Sequence, residues 1–202
     1  MYDAGPLIYS KPVRVRAADE SDVIWAAALA RRVYTGADVI PESLMLEWFG
    51  ANPGGFSVLC DAEGERVGNV DLLPLRAEAM ARIRNGSGIE LEIRGADLFG
   101  ARERGLVRDV YVESVVARAA DLQRVDGGAE AVLRSFSELL ARVGDLRALQ
   151  NVYAIAASRG GERFLKRLGM ERVMEGAERR DGHDLFGGSV VASGGSSGAA
   201  SI

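Results

Sequence analysis

Cysteine occurs once in the 202 residues, at Cys60, which excludes an internal disulfide and any cysteine-rich metal site. Histidine also occurs once, at His183, and no cluster of metal-ligating side chains is visible, so no metal is expected. Lysine is confined to Lys11 and Lys166, and arginine supplies the other positive charges. No apolar run reaches the roughly 18 residues that would mark a membrane-spanning helix. An excess of positive charge is missing too. The net charge of −4 and pI near 5.2 argue against non-specific nucleic-acid binding, which needs a basic face. The opening MYDAGPLIYSKP lacks the basic start and apolar core of a secretory signal. A cytoplasmic protein is the expectation, with no membrane and no nucleic acid as partner.

What is present suffices for one domain: 48% of the residues are hydrophobic. Val13–Ala17 alternates and reads as a first strand. Asp19 or Ser21 then caps an alanine-rich helix over Val23–Tyr34. A second helix runs from Pro41, at the favoured first position, to Phe49. Phe56–Cys60 and Arg66–Leu73, flanking Asp61-Ala-Glu-Gly64, read as a hairpin, with Cys60 packed as a small apolar residue. Residues 74–108 are less regular. Glu78–Arg84 reads as a short helix stopped at Asn85-Gly86, and Gly88–Ile93 as a brief strand or an extended loop. If extended, Glu90 and Glu92 share a face, suited either to a cationic substrate or simply to water. Asn151–Ala157 is a buried strand placed beside the fourth. Ser158–Gly169 forms a short helix, and Glu171–Glu175 and Asp184–Val191 are further strands. Residues 1–12 are an extension, and the glycine- and serine-rich 192–202 a flexible tail.

The chain is organised around Asp109–Val143. Val110–Val116 is dense in β-branched and aromatic residues, as a strand requires. Farther on, Val132, Phe136, Leu139, Leu140 and Val143 fall on one helical stripe. Between them, Arg124-Val125-Asp126-Gly127-Gly128-Ala129 sits where the helix must begin. The first N–H groups of a helix lack partners and carry the positive end of its dipole, so a diphosphate is a natural guest there. A plain two-glycine loop before a surface helix would look the same.

Arg124-x-x-Gly127-x-Ala129 resembles the Q/R-x-x-G-x-G/A signature of the GNAT superfamily of acyl-CoA-dependent N-acyltransferases. Phe164, Leu168 and Gly169 resemble that family's later segment N-x-x-A-x-x-F-Y-x-x-x-G-F, with Met170 in place of the last aromatic. The likeness covers residues 13–191 in order. It implies an α/β (α+β) domain: a mixed, mostly antiparallel sheet, helices on both faces, a splayed fourth strand, and 74–108 as an insertion after the third strand. It also implies that Arg124, Val125, Asp126, Gly127, Gly128 and Ala129 hold the pyrophosphate of acetyl-CoA. Val115, Val116 and Ala117 would pair with the pantetheine arm, and Ser158 would hydrogen-bond where the family often has asparagine. Trp25, Tyr34, Trp48 and Phe49 either line the acceptor pocket or belong to the core; Trp25, Glu90 and Glu92 are the residues assigned to the substrate.

Glu113, on the fourth strand, is the candidate general base, acting directly or through water if burial shifts its pKa; otherwise it is a solvated or ion-paired strand residue. His183, beside Asp181 and Asp184, reads as a surface histidine. Leu165 stands where the family often has the tyrosine that protonates the leaving thiolate, and leucine has no proton to give. Three functions remain open. The first is an N-acetyltransferase acting on the primary amine of a small molecule or peptide. The second is a non-catalytic acyl-CoA sensor or protein-interaction module. The third, a toxin-type transferase acting on aminoacyl-tRNA, is disfavoured by the acidic charge. A homodimer is left open.

Overall fold

The computed structural model describes residues 13–34, 36–117 and 127–190. Arg14–Ala17 (β1), Phe56–Cys60 (β2), Arg66–Leu73 (β3), Asp109–Ala117 (β4), Asn151–Ala156 (β5), Glu171–Met174 (β6) and Asp184–Ser189 (β7) form one sheet in the order β1-β2-β3-β4-β5-β7-β6. Every pairing is antiparallel except β4 with β5, which is parallel. The predicted hairpin forms over the expected residues, and β5 lies beside β4. Helices cover both faces, with a separate apolar layer under each. Gly127–Val143 (α4) and Arg159–Arg167 (α5) bury Val132, Phe136, Leu139, Leu140 and Leu165 against one side. Glu20–Val33 (α1), Glu42–Ala51 (α2) and Ala77–Arg84 (α3) bury Val23, Met45, Trp48 and Met80 against the other.

Local chemistry accounts for the helix ends. Asp19 caps α1: its carboxylate accepts from Asp22 N at 3.0 Å while Asp22 returns the bond to Asp19 N at 2.9 Å. Asp22 is buried because Arg16 and Arg66 both pair with it, at 2.6 and 2.7 Å. Pro41 proves to be the residue before α2 rather than its first helical one, at φ −61 and ψ 140, since the extended ψ needed to enter the helix falls there.

Residues 74–108 depart from the reading of Gly88–Ile93 as strand or extended loop. They form α3 followed by 3₁₀ turns at Glu90–Glu92, Gly95–Asp97 and Ala101–Leu106. Packing onto α2 decides this: Trp48 Nε1 donates to the Ile93 carbonyl at 3.0 Å, Asn52 Nδ2 to the Phe99 carbonyl at 2.8 Å, and Gly95 N to Glu47 at 2.6 Å. From the other end of the chain, Arg179 donates to the Ile83 carbonyl at 2.6 Å and Arg180 to the Ser87 carbonyl at 2.7 Å. Residues 74–108 are thereby tied to α2 and to Arg179 and Arg180, with Glu90 reaching Tyr111 of β4.

Two irregularities in β4 position the site. Asp71 faces Ser114 and Leu72 faces Val112, so Glu113 is the extra residue of a β-bulge. The parallel register with β5 stops at Val112 opposite Ala154, one residue before that bulge. Past this point β4 and β5 separate.

Candidate functional site

The separation opens a cleft of about 480 Å³ that reaches both faces of the sheet. On the α4–α5 side its walls are Val115 of β4, Ala154 of β5, Ala129 at the start of α4, and Ser158, Gly161 and Phe164 around α5. Ser158 caps α5, accepting from Gly161 N at 3.0 Å, which leaves its hydroxyl proton for another acceptor. Arg163, exposed on α5, adds a cation at this end. Leu165 forms part of the apolar floor and is buried.

On the α1–α3 side the walls are polar and mostly acidic: Tyr34, Asp38, Glu90, Glu113 and His183. Glu113 is half-buried, yet its Oε2 is closed off from solvent and has no hydrogen-bond partner among the described residues. Glu90 accepts from the Tyr111 hydroxyl at 2.6 Å. His183 Nε2 lies 3.0 Å from Asp38 Oδ1, and its backbone N donates to Asp181 at 3.0 Å. Behind them, fully buried Asp71 accepts from Asn69 Nδ2 at 2.7 Å.

Electrostatics follow from this crowding. Burial lifts the Asp71 carboxyl to about 7, against the opposing hydrogen bonds from Asn69 and the Ser57 backbone. Burial likewise lifts Glu90 to about 7 despite its bond from Tyr111, and nearby Asp181 and Asp38 add to the rise. Glu113 is pushed well above the usual carboxylate range by burial and then by the charges of Glu90 and Asp71. Burial also raises the Tyr34 hydroxyl, with Glu113 the next cause. These carboxyls exchange protons as a set rather than singly.

The raised values have a consequence for stability. A group held more tightly protonated in the folded state than in the unfolded chain contributes stability that is full at acid pH and is lost as pH rises through the folded pKa. For Asp71 that window runs from about 4, its unfolded value, to about 7. Asp71→Asn removes the loss. Its melting temperature relative to wild type is expected to climb between about pH 4 and about pH 7, as thermal unfolding at both ends would read. A difference independent of pH would contradict the buried placement.

The sequence-predicted residues fall as follows. Val115, Val116, Ala129, Ser158, Glu90 and Glu113 line one cleft. Ala117 ends β4, opposite Gly68, and Gly127 and Gly128 open α4. Arg124, Val125 and Asp126 lie outside the described residues. Glu92 does not join Glu90: the 3₁₀ turn sends it outward, where it pairs with Arg180 at 2.9 Å. Trp25 packs against the α1–α3 layer and does not line the cleft, Trp48 is fully buried, and Phe49 meets Phe56 edge-on at 5.6 Å. Of the four aromatics considered, only Tyr34 is among the lining residues. Asp38 was not singled out in the sequence, and His183, expected at the surface, lines the cleft. Being the sole histidine was the available signal for His183, but nothing local shows its meeting with Asp38.

No family model matches the sequence, and no curated protein matches it. Solved structures do match it in fold. The loading GNATL domain of CurA from Lyngbya majuscula superposes with a TM-score of 0.60 at 12% identity, covering 88% of this chain and 97% of that one. A GNAT superfamily phosphinothricin acetyltransferase from Sinorhizobium meliloti, in complex with AcCoA, gives 0.56 at 15% identity and 88% coverage of each chain. The GphF GNAT-like decarboxylase in complex with isobutyryl-CoA gives 0.55 at 18%, covering 87% of this chain and 98% of that one. At these identities the likeness is one of fold, and the fold of this chain is that of the GNAT superfamily.

Proposed function

We propose that this GNAT-fold chain is an N-acyltransferase that moves an acetyl group from acetyl-CoA to a primary amine of a small molecule or peptide. The observation that carries the reading is the cleft at the β4–β5 split, apolar and glycine-lined on one side of the sheet and acidic on the other. An extended pantetheine arm suits the first half, since β4 beyond Val112 has its β5-facing edge released from the parallel ladder. The turn from Arg124 to Ala129, with Gly127 and Gly128, would take the pyrophosphate at the start of α4, and Ser158 would donate to the arm. An amine, cationic before it reacts, suits the half lined by Glu90, Glu113 and Asp38.

At the junction, an amide of the Val115–Ala117 segment would polarise the thioester carbonyl, and the acidic side would receive the proton that the amine sheds. Decarboxylation of an acidic acyl group fits less well, because its carboxylate would have to enter among Glu90, Glu113 and Asp38. Leu165 favours one second reading, an acyl-CoA-binding domain without turnover. Thiol release from acetyl-CoA in the presence of primary amines separates the two. Acyl transfer predicts release that depends on the amine. A CoA-induced rise in melting temperature without any release would support the sensor reading instead.

A further inference from the structure

Resting on the acyl-transfer reading, we propose that Glu113 and Glu90 divide the proton work of this site, Glu113 as the acid and Glu90 as the base, and that the 74–108 insertion serves to bring in the base. The two carboxyls sit on walls of the same cleft but differ in what supports their charge. Glu90 accepts a short hydrogen bond from the Tyr111 hydroxyl, 2.6 Å, which stabilises an anion. Glu113 has an oxygen, Oε2, that is buried and receives no hydrogen bond among the described residues. A buried carboxylate oxygen without a donor is costly, and holding the proton is how such a group avoids the cost.

Placement assigns the direction of transfer. Glu113 is the bulged residue at the point where β4 and β5 part, beside the β4 segment assigned to the thioester. Leu165, on the cleft floor, offers no proton to a leaving sulfur, so Glu113 fills that role. Glu90 lies on the acceptor side, held there through its 3₁₀ turn by Trp48 below and by Arg180 on Glu92. The other groups around the pair are Asp71 on β3, Tyr34 and Asp38 after α1, Tyr111 on β4, and Arg179, Asp181 and His183 before β7. Arg179, the permanent cation among these, is already paired with Asp181.

The step balances. The ammonium first sheds one proton to solvent; the neutral amine nitrogen then bonds to the thioester carbonyl carbon and gives a second proton to Glu90. The C–S bond breaks with its electron pair on sulfur, and Glu113 protonates the sulfur to the neutral thiol. The proton on Glu90 then returns to Glu113, directly or through water, and the products are an amide and CoA.

The test has a part that needs no acceptor. Infrared difference spectra of the apo protein at about pH 8 should show the C=O stretch of a protonated carboxylic acid, lost in Glu113→Gln and kept in Glu90→Gln. With methylamine or 1,4-diaminobutane as acceptor, each variant should lose about 10²–10⁴-fold in kcat. Glu90→Gln should also lose the acidic limb of the kcat profile and Glu113→Gln the alkaline limb. Tyr111→Phe should move the acidic limb to higher pH. An infrared band that survives Glu113→Gln and vanishes in Glu90→Gln would reverse the roles, and no band in wild type would overturn the proposal. Thiol release absent with every amine, while CoA still raises the melting temperature, would defeat the acyl-transfer reading and is told apart by that same titration. CoA-dependent stabilisation of both variants checks that they fold.

Discussion

Ala129→Trp is expected to abolish the rise in melting temperature that CoA gives the wild-type chain. Ala129 lies in the first turn of α4 and lines the cleft while remaining partly exposed, so an indole there projects into the space assigned to the cofactor rather than into the core. At a ligand concentration a hundredfold above Kd, binding stabilises the folded state by about 2.7 kcal/mol. In a domain of this size that corresponds to a melting shift of roughly 5–10 °C. The variant should melt near wild type without CoA and gain nothing with it. Full retention of the shift would place the cofactor elsewhere.

Gly55→Ala has the largest expected effect on stability. Gly55 closes the 3₁₀ turn Pro53–Gly55 that leads into β2, and a Cβ there would overlap the carbonyl oxygen of Leu72 in β3. The obstacle is backbone held in the sheet, with Val143 of α4 close behind, so no side-chain rotation relieves it. Overpacking of this kind costs about 3 kcal/mol, a fall of roughly 6–12 °C in thermal unfolding. Gly50, within α2, meets nothing, and Gly50→Ala should stabilise by about 0.5–1 kcal/mol. Equal melting of the two variants would contradict the close approach of the Gly55 turn to β3.

Elements with strong periodicity were legible in the sequence. The β2–β3 hairpin and the Val132–Val143 stripe follow from alternation and from helical spacing, because each buries one face against its neighbour. Glu113, expected either as a base or as a solvated strand residue, lines the cleft, but its bulge was not legible: alternation reveals which face a residue prefers, whereas an extra residue appears only against a partner strand. The pattern Gly-Ile-Glu-Leu-Glu-Ile could not distinguish a strand from a tight turn. Trp48 and Arg180, distant in sequence, decide it by bonding Ile93 and Glu92. The Asp38–His183 contact joins residues 145 positions apart, beyond the reach of any local pattern. The stretch expected from its glycines to take the phosphates includes Arg124, Val125 and Asp126, which fall outside the described residues.

The most direct measurement is a crystal structure of the chain with acetyl-CoA. The pantetheine arm should run between β4 and β5 beyond Val112, with the thioester beside Glu113 and the acidic half of the cleft left for the acceptor. A cofactor bound anywhere else, or a β4–β5 gap still empty at saturating acetyl-CoA, would contradict the account.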